Sequence, residues 1–366
     1  MEAHNGVKEI LCAIVVIFVT AAAVLLLVVF VRGNGRNAAV DEATVTEEMN
    51  ENASSGAAPE VSGENPVSAD GDGYTEILAL SDFADEKWSE GIVVYNGKKY
   101  RYKNGLQNYL FLGIDNDEKV APAADGISGG QSDAMFLLIT DRNAQEIKII
   151  AINRNTIVPI DVYDEAGNYL VQMDLQICLQ HGYGDGMKLS CTRSVDAVNR
   201  LFKGIPISGY IALNMGGLPA VNDAIGGVEL TPIESVKRGD ITIKKGESVV
   251  LNGEQAYAYL RTRDVDAFGS ANDRLKRQEQ YILAVIEKLL ADPSKANRIY
   301  EDGADYIVAS IDLPKLVKDS KDMIFTEDQL YAVPGETVFR DDFERYEVDE
   351  DGMIRLILNV FYEELP

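Results

Sequence analysis

The sequence predicts an α/β fold: a layered α-β-α domain around a central mixed β-sheet, carried on a single N-terminal transmembrane helix. Three observations predict it. Short apolar runs alternate with stretches of helical apolar spacing, the pattern of strands and helices packed in layers. A chain of 366 residues that is 46% hydrophobic and 25% charged can fill one large core or two ordinary ones. The N-terminus holds an uncharged apolar run, Ile10 to Val31, with no polar face.

That run comes first in the chain. At about 1.5 Å per residue it spans the ~30 Å hydrocarbon layer, and the apolar core of a cleaved signal peptide is usually shorter. Residues 10–31 then form the membrane helix, with residues 1–9 as a short N-terminus before it. Lys8 precedes the run, whereas Arg32 and Arg36 follow it, so the positive-inside count leans weakly towards a cytoplasmic body. Residues 32–73 are rich in Ala, Glu, Asn, Ser and Gly without apolar periodicity, which reads as a flexible acidic linker. The folded part starts near Tyr74. Within the 74–107 accessory segment, "IVVYNGKKYRYK" (Ile92 to Lys103) has an Asn-Gly turn between alternating strands.

Three buried strands follow in "YLFLGI" (Tyr109 to Ile114), "AMFLLIT" (Ala134 to Thr140) and "EIKIIAIN" (Glu146 to Asn153). Arg193 to Gly204 has helical spacing at Val195, Val198 and Leu201, with Gly204 as its stop. Leu251 to Arg261 predicts a short helix capped by Asn252. From Asn272 to about Leu290, apolar Leu275, Ile282, Val285, Ile286 and Leu289 predict a longer helix with Asn272 or Asp273 as its N-cap. The core is bounded at 108–290, and 291–366 forms the C-terminal part of the same domain.

Composition excludes several functions. A formal net charge of -25 argues against general nucleic-acid binding and against polybasic docking on anionic lipid. Three cysteines and two histidines offer no zinc spacing and no CxxC. Cys178 and Cys191 fit either a disulfide, if the body is outside the cell, or two buried free thiols. No GxxxxGK[ST] or HExxH occurs, and a Ser-His-Asp hydrolase would have to use His181. "DVDAFGSANDRL" fails as a calcium loop, because Phe268 and Leu275 stand where oxygen ligands are required.

Against that acidic background, "YLRTRDVDAFGSANDRLKRQEQ" (Tyr259 to Gln280) gathers Arg261, Arg263, Arg274, Lys276 and Arg277. Arg274, Arg277 and Gln278 share a helix face at i, i+3 and i+4. Cations in the first turns oppose the helix dipole, so stability alone would not place them there. Two readings fit. Free N–H groups and guanidinium forks make an anion site, best suited to phosphate; or the arginines form a solvated charge network with Asp264, Asp266 and Asp273. Asp115 follows a predicted strand and Asp133 starts one, so they share an end of the sheet only if those strands are antiparallel. Each alone reads as a cap or turn residue. Together, beside a pyrophosphate, they would suit Mg²⁺. Arg154, at the end of another strand, is a further candidate cation, or a plain surface arginine.

With these residues in place, the stretch from about Asn108 to Leu290 resembles the LytR-CpsA-Psr family of membrane-anchored cell-wall proteins. "FLGIDN", "QSDAMFLLIT", "IAINRNTIVPI", "NDAIGGVELT" and "LNGEQAYAYLRTRDVDAFGSANDRLKRQEQ" follow the order of that family's motifs, and "YEVDEDGMIRLILNVFYEEL" resembles its usual C-terminal end. The resemblance implies an extracytoplasmic α/β domain, against the weak charge count, in a Gram-positive-type cell membrane. It implies a Mg²⁺-dependent phosphotransferase that moves a glycopolymer phosphate from a polyprenyl-pyrophosphate carrier to peptidoglycan. By position, Asp115 and Asp133 match the family's metal-site acids. Arg154, Arg261, Arg263, Arg274, Arg277 and Gln278 match its pyrophosphate-binding residues, with Arg154, Asp133 and Arg263 closest to the chemistry. Asp115 or Asp133 is the expected acceptor of the attacking hydroxyl's proton, and the lipid tail needs an apolar groove, for which "YIALNM" and the apolar helix faces are candidates. Two positions depart from the pattern: Gln131 stands for an arginine and Asn155 for an acid. Both favour the alternative function, a non-catalytic binder or scaffold for lipid-linked glycan. A transcription regulator is a third reading, which the absence of a basic helix-turn-helix disfavours.

Overall fold

A computed structural model of the chain describes residues 74–83, 91–264, 266–340 and 342–366. The expected membrane helix, Ile10 to Val31, and the linker at 32–73 lie outside them. No helix among the described residues is long and apolar enough to cross a membrane.

The centre is a six-stranded sheet in the order Ile307–Ala309, Gly209–Asn214, Leu106–Ile114, Ser132–Asp141, Glu146–Ile152 and Leu330–Ala332. It is mixed. Leu106–Ile114 runs parallel to Gly209–Asn214 and antiparallel to Ser132–Asp141. Outer strands pair antiparallel at one edge and parallel at the other. The alternating side chains of one strand divide between two layers. Met135, Leu137 and Ile139 enter the core shared with the helices Lys188–Leu201 and Glu350–Phe361. Phe136 faces the opposite way, onto Ile286 of the helix Ser270–Ala291. The fold is therefore α-β-α, as the sequence predicts.

The predicted Asn-Gly hairpin is present: Ile92–Tyr95 pairs with Lys98–Tyr102, and Asn96 and Gly97 have φ of 51° and 75°. Both central residues at positive φ match the twist of the flanking strands. Lys98–Tyr102 also pairs with the C-terminal strand Tyr362–Leu365, so the 74–107 segment and the chain end share one four-stranded sheet.

Two helix starts behave differently. Asn252 caps Gly253–Arg261 as expected, accepting from Gln255 N at 2.9 Å, while Gln255 Oε1 accepts from Asn252 N at 3.1 Å. The expected cap at Asn272 or Asp273 is corrected. The long helix starts at Ser270 behind Gly269, whose φ of 77° suits a residue without a Cβ. The Asn272 amide is used elsewhere, donating to Thr337 Oγ1 at 2.8 Å and accepting from Asn153 Nδ2. Helix Lys188–Leu201 starts earlier than its apolar spacing indicates, and Gly204 at φ 93° follows its end.

The disulfide alternative is also settled: Cys178 and Cys191 are buried free thiols. Burial pushes both thiols up, Cys191 to about 12, so they stay protonated at neutral pH.

Candidate functional site

The sheet geometry meets the condition on the two acids. Because Leu106–Ile114 and Ser132–Asp141 are antiparallel, Asp115, just past one strand, and Asp133, near the start of the other, emerge at the same end. The register shifts there: Gly113 pairs with Ala134 and Ile114 with Ser132, which leaves Asp133 as the extra residue of a bulge. A bulge frees one side chain from the ladder's alternation and re-aims it, which suits a site residue.

Asp133 is half enclosed by guanidiniums. Arg154 Nε lies 2.8 Å from Asp133 Oδ1, and Arg274 Nη1 lies 2.8 Å from Oδ2. Burial pushes the Asp133 carboxyl up, and Arg154, Arg274 and Arg263 together more than offset this, holding it below the ordinary carboxylate range. Arg274 is only 4% exposed. Burial, then Arg154 and Arg263, push its guanidinium down from the usual value against the pull of Asp133. Arg263 makes no ion pair with any described residue, yet its charge is felt at both Asp133 and Arg274.

Arg261 ends the capped helix and pairs with Asp115, with Asp117 3.6 Å away. Tyr257, one turn earlier, donates its hydroxyl to Asp117 at 2.7 Å. The acid loop rests on backbone with no room for a side chain. Asn214 Nδ2 donates to the Glu118 carbonyl at 2.8 Å, and a Cβ on Gly216 would fall on the Asp117 carbonyl. Four guanidiniums (Arg154, Arg261, Arg263, Arg274) therefore face three carboxylates (Asp115, Asp117, Asp133). The excess is positive in a chain that is acidic overall.

Arg154 is held on several sides. Its Nη2 donates to Gln131 Oε1 and lies 3.1 Å from Cys178 Sγ. Gln131, standing where an arginine was expected, is thus an acceptor that fixes Arg154. Asn155 is 3% exposed and donates to Glu344 Oε2 at 3.4 Å. Arg277 and Gln278 are turned elsewhere. Arg277 engages Glu234 and the Thr262 carbonyl; burial lowers it to about 10, which still leaves it charged at neutral pH. It secures the loop that carries Arg263. Gln278 Nε2 donates to the Leu260 carbonyl at 3.5 Å.

The charge-network reading with nearby acids does not match these partners. Asp273 pairs with exposed Lys276, and Asp264 accepts from the Asp266 backbone. Three of the expected free N–H groups at the helix start are spent as well: Gly269 N donates to Glu344 Oε1 at 2.7 Å, Ser270 N to Ala267 and Asn272 N to Gly269. The guanidiniums are the main donors this site offers an anion. His181, by contrast, is buried, bonded to the Gly130 carbonyl at 3.1 Å and kept neutral by burial.

Beside the charged cluster lies an apolar cavity of about 220 Å³. One wall is sheet, with Phe111, Phe136, Ile149 and Ile211; another is the long helix, with Ile282 and Val285. Gly113 and Ala134, neighbours of the two acids in sequence, and Gln278 also line it. "YIALNM" contributes Ile211, Leu213 and Met215. Asp117, Tyr257, Cys178 and Glu344 are the parts of the site that sequence reasoning missed. Tyr257 could have been found from its i−4 spacing to Arg261.

Comparison with known proteins now fixes the relationship. Residues 80–351 match the sequence model of the LytR_cpsA_psr family. The chain belongs to that family. Among curated relatives, the polyisoprenyl-teichoic acid–peptidoglycan teichoic acid transferase TagU of Halalkalibacterium halodurans is 28% identical over 179 residues, 49% of this chain and 52% of that protein. The TagU of Enterococcus faecalis is 29% identical over 51% of this chain and 55% of that protein. The chain thus spans about half the length of these relatives. The crystal structure of Bacillus subtilis TagV shares the fold with TM-score 0.55 and 22% identity, covering 70% of this chain and 96% of that one. A structure described as TagT bound to LI-WTA gives TM-score 0.51 and 19% identity, covering 70% and 90%.

Proposed function

We propose that this protein is a membrane-anchored, extracytoplasmic phosphotransferase that moves a glycopolymer phosphate from a polyprenyl-pyrophosphate carrier to peptidoglycan. The observation that carries the reading is the adjacency of a cationic cluster and an apolar cavity. Arg154, Arg261, Arg263 and Arg274 suit a pyrophosphate, and the cavity suits the start of an isoprenoid tail. The relatives' names, which specify transfer of polyisoprenyl-linked teichoic acid to peptidoglycan, support the same chemistry. The uncharged Ile10–Val31 run supports the anchor.

The donor set fits a divalent cation. Asp115 and Asp133 offer hard oxygens, and Asp133 Oδ1 is buried, with Arg154 Nε in ion-pair contact but not in hydrogen-bond geometry. Among the described residues no group of three or more metal-ligating side chains gathers, so other ligands would come from water and phosphate, as Mg²⁺ accepts. Bound by Asp115 and Asp133, Mg²⁺ would supply neutralising charge to the phosphate oxygens. These acids pair with the arginines. A pyrophosphate would take over the arginines and release the acids.

The acceptor sugar hydroxyl attacks the phosphorus that carries the glycan. An O–P bond forms, the P–O bond to the carrier breaks, and polyprenyl phosphate leaves. Asp133, held ionised by its arginines, is a weak base, so the proton ends on the departing phosphate. Catalysis then rests on positioning and charge, which phosphoryl transfer chiefly requires. The second reading, a binder of lipid-linked glycan, is favoured by Gln131 and Asn155. The test is to incubate the full chain in detergent with a polyprenyl-pyrophosphate glycan, Mg²⁺ and peptidoglycan fragments, and to seek the glycan-phosphate adduct by mass spectrometry. An adduct that needs Mg²⁺ and vanishes in Arg263→Ala supports the transferase. Tight glycan-lipid binding without an adduct would select the binder.

A further inference from the structure

Glu344 belongs to the hairpin Gly335–Arg340 and Phe343–Val348, far beyond the arginine-bearing segment in sequence. Its carboxylate nevertheless joins two parts of the site. Oε1 accepts from Gly269 N at 2.7 Å, where the loop carrying Arg263 enters the helix carrying Arg274. Oε2 accepts from Asn155 Nδ2 at 3.4 Å, next to Arg154. The hairpin backbone holds the same loop: Tyr346 N donates to the Asn155 carbonyl at 2.9 Å, and Gln176 Nε2 donates to the Glu344 carbonyl at 2.7 Å. Asn155 itself is 3% exposed, and its Oδ1 has no hydrogen-bond partner.

A buried amide with one orphaned oxygen is costly. A helix cap alone would not require it, since Gly269 N and Glu344 satisfy each other without Asn155. The arrangement makes sense if residues 155 and 344 work as a carboxylate–amide pair whose single negative charge matters to the neighbouring guanidiniums. We infer that Glu344 is a positioning residue of the transfer site: it supplies, from the C-terminal hairpin, the negative charge that Asn155 lacks, and so sets Arg154 and the Arg263 loop in place. The inference rests on the transferase reading above.

Its test is a swap of the pair. Glu344→Gln keeps an acceptor for Gly269 N but removes the charge. Asn155→Asp sets two carboxylates about as close as the present contact. The double variant Asn155→Asp/Glu344→Gln restores one charge and one amide with the partners exchanged. Two quantities are measured on the full chain in detergent: the calorimetric affinity for inorganic pyrophosphate, and the kcat and KM of glycan transfer. Each single variant should lose about tenfold in both pyrophosphate affinity and kcat, with KM for the acceptor little changed, and the double variant should return to within about threefold of wild type. If Glu344→Gln matches wild type, or the double variant is no better than the singles, Glu344 is a helix cap and the inference is overturned. Wild type that binds pyrophosphate but transfers no glycan sinks the transferase reading, while the affinity cycle still decides the role of Glu344. Wild type that binds no pyrophosphate overturns both.

Discussion

At the scale of single residues, the site separates charge that holds the fold from charge left free for a ligand. Arg263 makes no ion pair with a described residue but acts on Asp133 and Arg274. Arg263→Ala should therefore leave stability within about 0.5 kcal/mol in a urea melt while pyrophosphate affinity falls about tenfold by calorimetry. Asp133 behaves in the opposite way. Its folded-state value is depressed, so its ion pairs stabilise the protein above the unfolded value near 4 and are lost as pH falls through the folded value. Urea melts should place Asp133→Asn about 3 kcal/mol below wild type at neutral pH, with the gap closing in acid below about pH 4. A gap that persists unchanged in acid would contradict this. The arginines were legible because they are anomalous in so acidic a chain and at a helix start. Glu344 was not, since one glutamate among many acids carries no sign of where a distant hairpin will fold.

Among the elements, strand pairing and helix capping decide where those residues point. The strands were readable from their apolar runs, but their mutual direction was not, and it is the antiparallel pairing with its bulge that brings Asp133 to Asp115. Helix starts were half readable. Asn252 forms the reciprocal cap its sequence offers, whereas Asn272, an equally good cap by type, is drawn away by Thr337 and Asn153. Asn252→Ala should cost about 1 kcal/mol. Gly269→Ala should cost about as much from its φ of 77°, since a Cβ there meets nothing nearer than Asn272 Nδ2 at 3.9 Å. Chemical denaturation of each variant checks both values. A near-neutral Gly269→Ala would mean that the loop relaxes out of its left-handed turn.

Across the whole molecule, the apolar cavity and the charged cluster share two elements. The sheet and the long helix line the cavity and also carry Asp133 and Arg274 at its charged margin. Apolar periodicity announced a core here, and an internal space differs from a packed core only in three dimensions, so the sequence could name its walls but not its opening. Val285→Phe should fill part of the space, leaving inorganic pyrophosphate binding unchanged while weakening a ligand that carries a tail. One ligand is expected to occupy both regions. The most direct measurement is the affinity of the full chain for a polyprenyl pyrophosphate set beside that for inorganic pyrophosphate. The tail should add at least about tenfold, and Val285→Phe should remove this gain while Arg263→Ala weakens both ligands. Equal affinities for the two ligands, unmoved by Val285→Phe, would contradict it.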